Sequence, residues 1–173
     1  AGLNDVVLVL GAETMTWVGT PLATEWMARA GDTRWEYPFG ITFPGFYALM
    51  ATRHMHEFGT TRMQLSSVAV KNHKYGAMNP YAHLQKEVSL EEAMKSVPIC
   101  QPLNLYDCCL ISDGAAAVIL ASEKKAAKIT DTPIWLEGLG AGSDTMMISE
   151  RPSLVGLAAA TTAAEQAYKM AGV

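Results

Sequence analysis

Cysteine is scarce in this chain of 173 residues: Cys100, Cys108 and Cys109 are the whole supply. An odd number at such spacing builds no disulfide framework, and a vicinal Cys108–Cys109 bridge would be strained. A reducing compartment, and so a cytoplasmic location, is expected. No Cys-x-x-Cys and no paired Cys/His spacing occurs, which argues against zinc. Histidine is sparse too. His54 and His56 sit two apart and point about 200° apart on a helix, so they cannot share a metal. His73 and His83 are isolated, and all four histidines read as surface or hydrogen-bonded groups. Charge is low, with 17% charged residues and a net charge of −4. The lysine group Lys124, Lys125 and Lys128 is short and diluted with alanine, which excludes a nucleic-acid footprint. No apolar run approaches the ~20 residues of a membrane-spanning helix. The opening residues Ala1 to Asp5 carry no basic region of the kind that precedes a secretory signal.

What is present is a globular composition, with half of the residues hydrophobic. The stretch Leu105–Ala121 organises the rest. It begins with two adjacent thiols in an apolar, turn-like setting, passes through an Asp113-Gly114 turn, and enters a run of alanines and β-branched residues. That run is short and lacks helical periodicity, so a strand is expected, buried on both faces by closely packed helices. A thiol-bearing loop feeding such a strand is a natural place for binding groups.

Taken in order, Asp5–Leu10 reads as a buried parallel strand that delivers Glu13 at its carboxyl end. Glu13 is either catalytic or, the favoured reading, a carboxylate capping nearby N–H groups. Residues 16–44 are aromatic-rich and irregular, with a short helix near Ala23–Arg29. A helix from Phe46 to Phe58 is closed by Gly59. A second, about Arg62–Tyr75, starts from Thr60 or Thr61 and presents Leu65, Val68 and Ala69 as its apolar stripe. Ser89 and Glu92 form a capping box for a helix to about Ser96. Val97–Leu103 is an extended crossing, and Ser122 caps Glu123–Lys128. Thr132–Gly142 is expected as a glycine-rich, close-packed strand. Leu154–Ala171 is expected as a helix with Leu154, Leu157, Ala158, Thr161 and Ala164 on one face. The excursion of about a hundred residues between the first two strands makes this an α/β chain with an incomplete sheet. Because it opens almost inside a strand and closes just past Gly172, the chain is expected to be part of a larger fold.

Three strings carry a resemblance: Gly11-Ala12-Glu13-Thr14-Met15, Val68 to His73 running on through Asn79-Pro80-Tyr81-Ala82, and Cys108 to Ala117. In this order they resemble the thiolase superfamily, nearest to its sterol-carrier-protein-type and archaeal-type acetyl-CoA acetyltransferases. The resemblance covers essentially the whole chain. It implies a partial, layered α-β-α fold with a mostly helical loop domain inserted between strands. Residues 1–128 would be the distal part of the N-terminal half, with the loop domain at about 16–105. Residues 129–173 would start the C-terminal half.

The resemblance further implies an acyltransferase that cleaves or forms a 3-ketoacyl-CoA, with coenzyme A as substrate and no bound cofactor. The family's nucleophilic cysteine would lie before Ala1. Its activating histidine and second cysteine would lie after Val173, leaving no catalytic residue in this chain. Cys109 matches a family position, usually a small serine, along the pantetheine arm, with Cys108 and Leu110 beside it. A thiol there is a weak hydrogen-bond donor. Cys108 and Cys109 read equally well as small buried hydrophobes. Phe43, Phe46 and Tyr47 match the border of the acyl tunnel. A homodimer or homotetramer, and a small OB-fold partner protein, are the implied associations. A non-catalytic scaffold or acyl-binding subunit, and a 3-ketoacyl synthase relative, are the alternatives.

Overall fold

The computed structural model describes residues 3–173. The chain divides into two compact units, one of Ala1–Trp17, Ser112–Ser143 and Ala158–Val173, the other of Val18–Ile111 and Asp144–Leu157.

In the first unit, strand β1 (Val6–Glu13) pairs with β4 (Gly114–Ala121). The pairing is antiparallel and unbroken, from Val6 opposite Ala121 to Glu13 opposite Gly114. Both strands stand where the sequence places them, but neither is buried and β1 is not parallel to its neighbour. Leu8 is 66% exposed, Leu10 68% and Ile119 66%. Apolar content reports what a strand is able to bury; it does not say which neighbour covers it. Past β4, helix α5 (Glu123–Ile129) begins after Ser122. The expected Ser122 cap is not made. Its hydroxyl donates instead to the Asp5 carboxylate at 3.3 Å, and its N–H to the Asp5 carbonyl at 2.8 Å, joining the far ends of β1 and β4.

Thr132–Gly142 was expected as a strand and has no ladder partner among the described residues. It packs closely all the same. A Cβ on Gly138, Gly140 or Gly142 would overlap the carbonyl oxygens of Ala167, Ala163 and Ala159, respectively. The spacing explains itself. Two residues of extended chain advance about 6.6 Å, and four residues of helix rise about 6 Å. A glycine at every second residue therefore meets every fourth backbone carbonyl of α6 (Ala158–Ala171), antiparallel to it. Helix α6 starts four residues later than the expected Leu154. The Ser153 hydroxyl accepts the N–H groups of Val155 and Gly156, each at 3.2 Å, and this local bonding competes with a helical turn.

In the second unit, α1 (Gly19–Ala28) packs on α2 (Phe43–Phe58), and α2 on β2 (Pro98–Cys100). Helix α2 starts at Phe43, three residues before the expected Phe46. Thr42 caps it by accepting the Gly45 N–H at 3.2 Å, and Pro44 falls in the first turn, where proline lacks nothing a helix needs. Gly59 closes it with φ of 69°. Helix α3 (Arg62–Ala77) carries a Thr61/Gln64 capping box, and α4 (Leu90–Lys95) the expected Ser89/Glu92 box. The predicted extended crossing forms a small antiparallel hairpin of β2 and β3 (Leu103–Asn104). Residues 144–157 return to this unit. There Arg151 pairs with Asp144 at 2.7 Å, and the Ile148 N–H donates to Glu36 at 2.6 Å.

Of the expected α3 stripe, Ala69 is buried and Leu65 half-buried, but Val68 is 53% exposed. Ala69 also belongs to a line with Arg62, Ser66 and His73, spaced i, i+4, i+7, i+11, in which Ser66 and Ala69 are buried and the outer two half-buried. Small side chains in the middle let α4 and the 105–107 turn approach α3 closely. The Ser66 hydroxyl has no hydrogen-bond partner there.

Two substitutions probe this packing. Gly140→Ala should destabilise by roughly 1–3 kcal/mol or more, because backbone must move to admit the methyl. Gly11→Ala, which meets nothing within 4 Å, should be near neutral; urea midpoints followed by circular dichroism compare them. Ser66→Ala should raise the midpoint, by about 1 kcal/mol, since it removes an unpaired buried hydroxyl.

Candidate functional site

The loop that bears the thiols is held from below. Asn104 is buried, and its side-chain amide donates to the Met94 carbonyl at 3.0 Å. From it the chain makes a single 3-10 turn, Leu105–Asp107, capped reciprocally by Asn104 and Asp107. The Asp107 carboxylate accepts the Asn104 N–H at 2.7 Å. It also accepts both terminal nitrogens of Arg62, at 2.6 Å and 3.3 Å. The Asp107 side chain is only 6% exposed, so this fork-to-fork pair is largely desolvated. Tyr106 meets the His73 ring edge-on, with centroids 5.2 Å apart at 86°. His73 Nδ1 lies 3.0 Å from the Lys86 carbonyl. A carbonyl only accepts, so Nδ1 carries the proton.

Cys108, Cys109 and Leu110 follow directly. Cys108 is half-buried, Cys109 exposed, and all three thiols of the chain are free. Burial pushes the Cys108 thiol up, and the Asp107 carboxylate, Cys109 and Cys100 push it further the same way. It therefore stays protonated at neutral pH, the opposite of what a nucleophilic cysteine needs. Leu110 is 46% exposed. The reading of both cysteines as buried hydrophobes does not fit Cys109, whose side chain is open.

The aromatics divide by helix face. Phe43 and Tyr47, one turn apart at the start of α2, meet edge-on with centroids 5.3 Å apart. Tyr47 is 52% exposed, whereas Phe46 is only 8% exposed. Phe46 packs its ring tip against Gly31, where a Cβ would overlap it. An open cleft of about 250 Å³ lies near the α2 N-terminus, lined by Pro21, Thr24, Glu25, Ala28, Tyr37, Gly40, Ile41 and Thr42. Its acidic member is engaged: Glu25 accepts Tyr37 at 2.8 Å and Arg29 at 2.9 Å. Those bonds, the tyrosine's first, hold its carboxyl below the usual range.

Elsewhere Glu13 accepts the N–H of Thr14 at 3.0 Å, in line with the capping reading. Among the described residues no cluster of three or more His, Cys, Asp or Glu could hold a metal ion, and no helix is long and apolar enough to cross a membrane. Sequence reasoning missed three residues here. Arg62 and Asp107 lie 45 positions apart and carry no local signal. Asp113 was read as half of a turn, yet it accepts Met15 N–H at 2.7 Å, Thr16 N–H at 2.9 Å and the Thr16 hydroxyl at 2.6 Å.

Residues 1–124 match the family model of the thiolase N-terminal domain. The chain is 43% identical over 171 residues to an acetyl-CoA acetyltransferase of Methanothermobacter thermautotrophicus, covering 99% of this chain and 44% of that protein. It is 34% identical to sterol carrier protein 2 of Bos taurus, over 99% of this chain and 34% of the relative. Among solved structures, a chain of the Ltp2-ChsH2(DUF35) aldolase superposes with a TM-score of 0.77 at 28% identity, covering 98% of this chain and 45% of that one. The chain thus spans less than half the length of these relatives. On the family match and these identities, the chain belongs to the thiolase superfamily.

Proposed function

We propose that the protein carrying this chain is a thiolase-type acyltransferase acting on 3-ketoacyl-CoA, with coenzyme A as co-substrate. The observation that carries this is the match to an acetyl-CoA acetyltransferase along nearly the whole chain. In thiolysis an enzyme thiolate adds to the 3-keto carbon, the bond to C2 breaks, and acetyl-CoA leaves as its enolate and is protonated. Coenzyme A then takes the acyl group from the cysteine. That chemistry needs an activated thiolate and donors for the enolate oxygen. Here the chain contributes walls. Cys108, Cys109 and Leu110 lie along the pantetheine arm, and Phe43 and Tyr47, with Phe46 behind them, border the acyl tunnel. The Cys108 thiol, pushed up first by burial and then by the charge of the Asp107 carboxylate, supports a non-nucleophilic role. A homodimer or homotetramer, an OB-fold partner and a cytoplasmic setting belong to the same proposal.

A second reading is favoured by the structural likeness to an aldolase chain. An aldolase-type cleavage would take a 3-hydroxyacyl-CoA, break its C2–C3 bond as the hydroxyl loses its proton, and release a carbonyl compound and an acyl-CoA with no thiol acceptor.

Coenzyme A dependence separates the two. The native protein should cleave acetoacetyl-CoA only when coenzyme A is added, and the 173-residue chain alone should show no turnover. Release of a carbonyl compound from a 3-hydroxyacyl-CoA without added thiol, with acetoacetyl-CoA left intact, would favour the aldolase reading, and turnover of acetoacetyl-CoA by the chain alone would overturn the wall assignment. Cys108→Ser and Cys109→Ser should each keep kcat within about tenfold, where loss of a nucleophile costs on the order of a thousandfold or more. Iodoacetamide near neutral pH should alkylate Cys109 first; Cys108 should react only as pH rises past the ordinary thiol range.

A further inference from the structure

We propose that one face of α3 is a clamp that sets the position of the Cys108–Leu110 wall, with Arg62 and His73 as positioning residues. The inference rests on the reading of that wall as part of the acyl-CoA site. Arg62 and His73 are eleven positions apart, three helical turns, and so lie within about 20° of each other around the axis. Both reach the same short turn. Arg62 holds Asp107 through two nitrogens, and His73 holds Tyr106 through a T-shaped ring contact. Between them Ser66, 0% exposed, and Ala69, 5% exposed, bring the helix axis close.

The turn has little freedom left. Asn104 is tied to Met94, Leu105 N–H to the Val97 carbonyl at 2.8 Å, and Cys108 N–H to the Leu105 carbonyl at 3.2 Å. Asp107 immediately precedes Cys108, so a rotation of the turn carries the thiols with it. His73 is fixed in turn by Lys86, and Gly76 one turn on lies 3.5 Å, at its would-be Cβ, from the Leu84 carbonyl. The 84–86 segment thereby backs the clamp. Arginine suits the end nearest the thiols because its planar fork fixes the carboxylate in orientation as well as distance; a lysine ammonium fixes distance alone.

The test uses the native protein with four single variants: Arg62→Lys, Arg62→Met, Asp107→Asn and Cys109→Trp. A wall contact made equally in ground and transition states changes KM and leaves kcat. Asp107→Asn and Arg62→Met should raise KM for the acyl-CoA by about tenfold with kcat within about twofold. Arg62→Lys should recover part of that loss. Cys109→Trp, which fills the wall directly, should raise KM at least as much. If Cys109→Trp leaves KM unchanged, the wall reading fails. If it raises KM while both clamp variants leave KM alone and merely lower the melting temperature, the clamp is overturned and the wall stands. Should Asp107→Asn or Arg62→Met fail to fold, Arg62→Lys decides by alkylation. Release of the turn should quicken Cys108 modification several-fold with the circular dichroism unchanged, and an unchanged rate counts against the clamp.

Discussion

A carboxylate taken out of water must be met by charge or donors, and Asp107 is the place where this chain faces that demand. Removing one partner of such a pair leaves an uncompensated charge, at a cost of roughly 3–5 kcal/mol. The demand is met twice, by the Arg62 fork and by the Asn104 backbone. The consequence is geometric more than energetic. A turn of three residues becomes a fixed seat, and the thiols that follow inherit its orientation. The neighbouring charge also acts on Cys108 itself, adding to burial in keeping that thiol protonated. One ion pair thus places the loop and quiets its chemistry.

The other unit is governed by closeness of backbones. Gly138, Gly140 and Gly142 lay extended chain directly on α6, with alanines opposite. Helix backbone and extended backbone share no common repeat except at about 6 Å, two residues against four. A glycine at every second position is the solution this sequence uses. It needs no ladder hydrogen bonds, so the segment holds its place without belonging to the sheet.

Local chemistry was legible in the sequence wherever a side chain answers its own backbone. Ser89 with Glu92, and Gly59 at a helix end, could be read from spacing alone, because their partners lie within a few residues. The strands β1 and β4 were legible from apolar content; their antiparallel pairing and exposure were not, since composition carries no information about the neighbour. Thr42 and Pro44 hid the start of α2, because proline and glycine punctuate loops and first turns alike. Leu154 and Leu157 looked helical by spacing until the Ser153 hydroxyl claimed the following N–H groups. On α3, Leu65 and Ala69 were legible from spacing, but Arg62, Ser66 and His73 were not, because hydrophobic periodicity is blind to positions that pack through size and charge. The thiol loop was legible from its own residues and the resemblance added a role for it, whereas the residues that hold it include partners distant in sequence that emerged only from the fold.

Asp113 gathers three donors from Met15 and Thr16 across nearly a hundred positions of intervening chain. The points where the polypeptide leaves the strand ribbon and rejoins it are therefore knotted together by one aspartate. Closing a long loop becomes only slowly more expensive as the loop lengthens, and here the closure is fastened independently of whatever lies inside it. Such a junction lets evolution trade, lengthen or recast the enclosed segment as a cassette while the ribbon keeps its register.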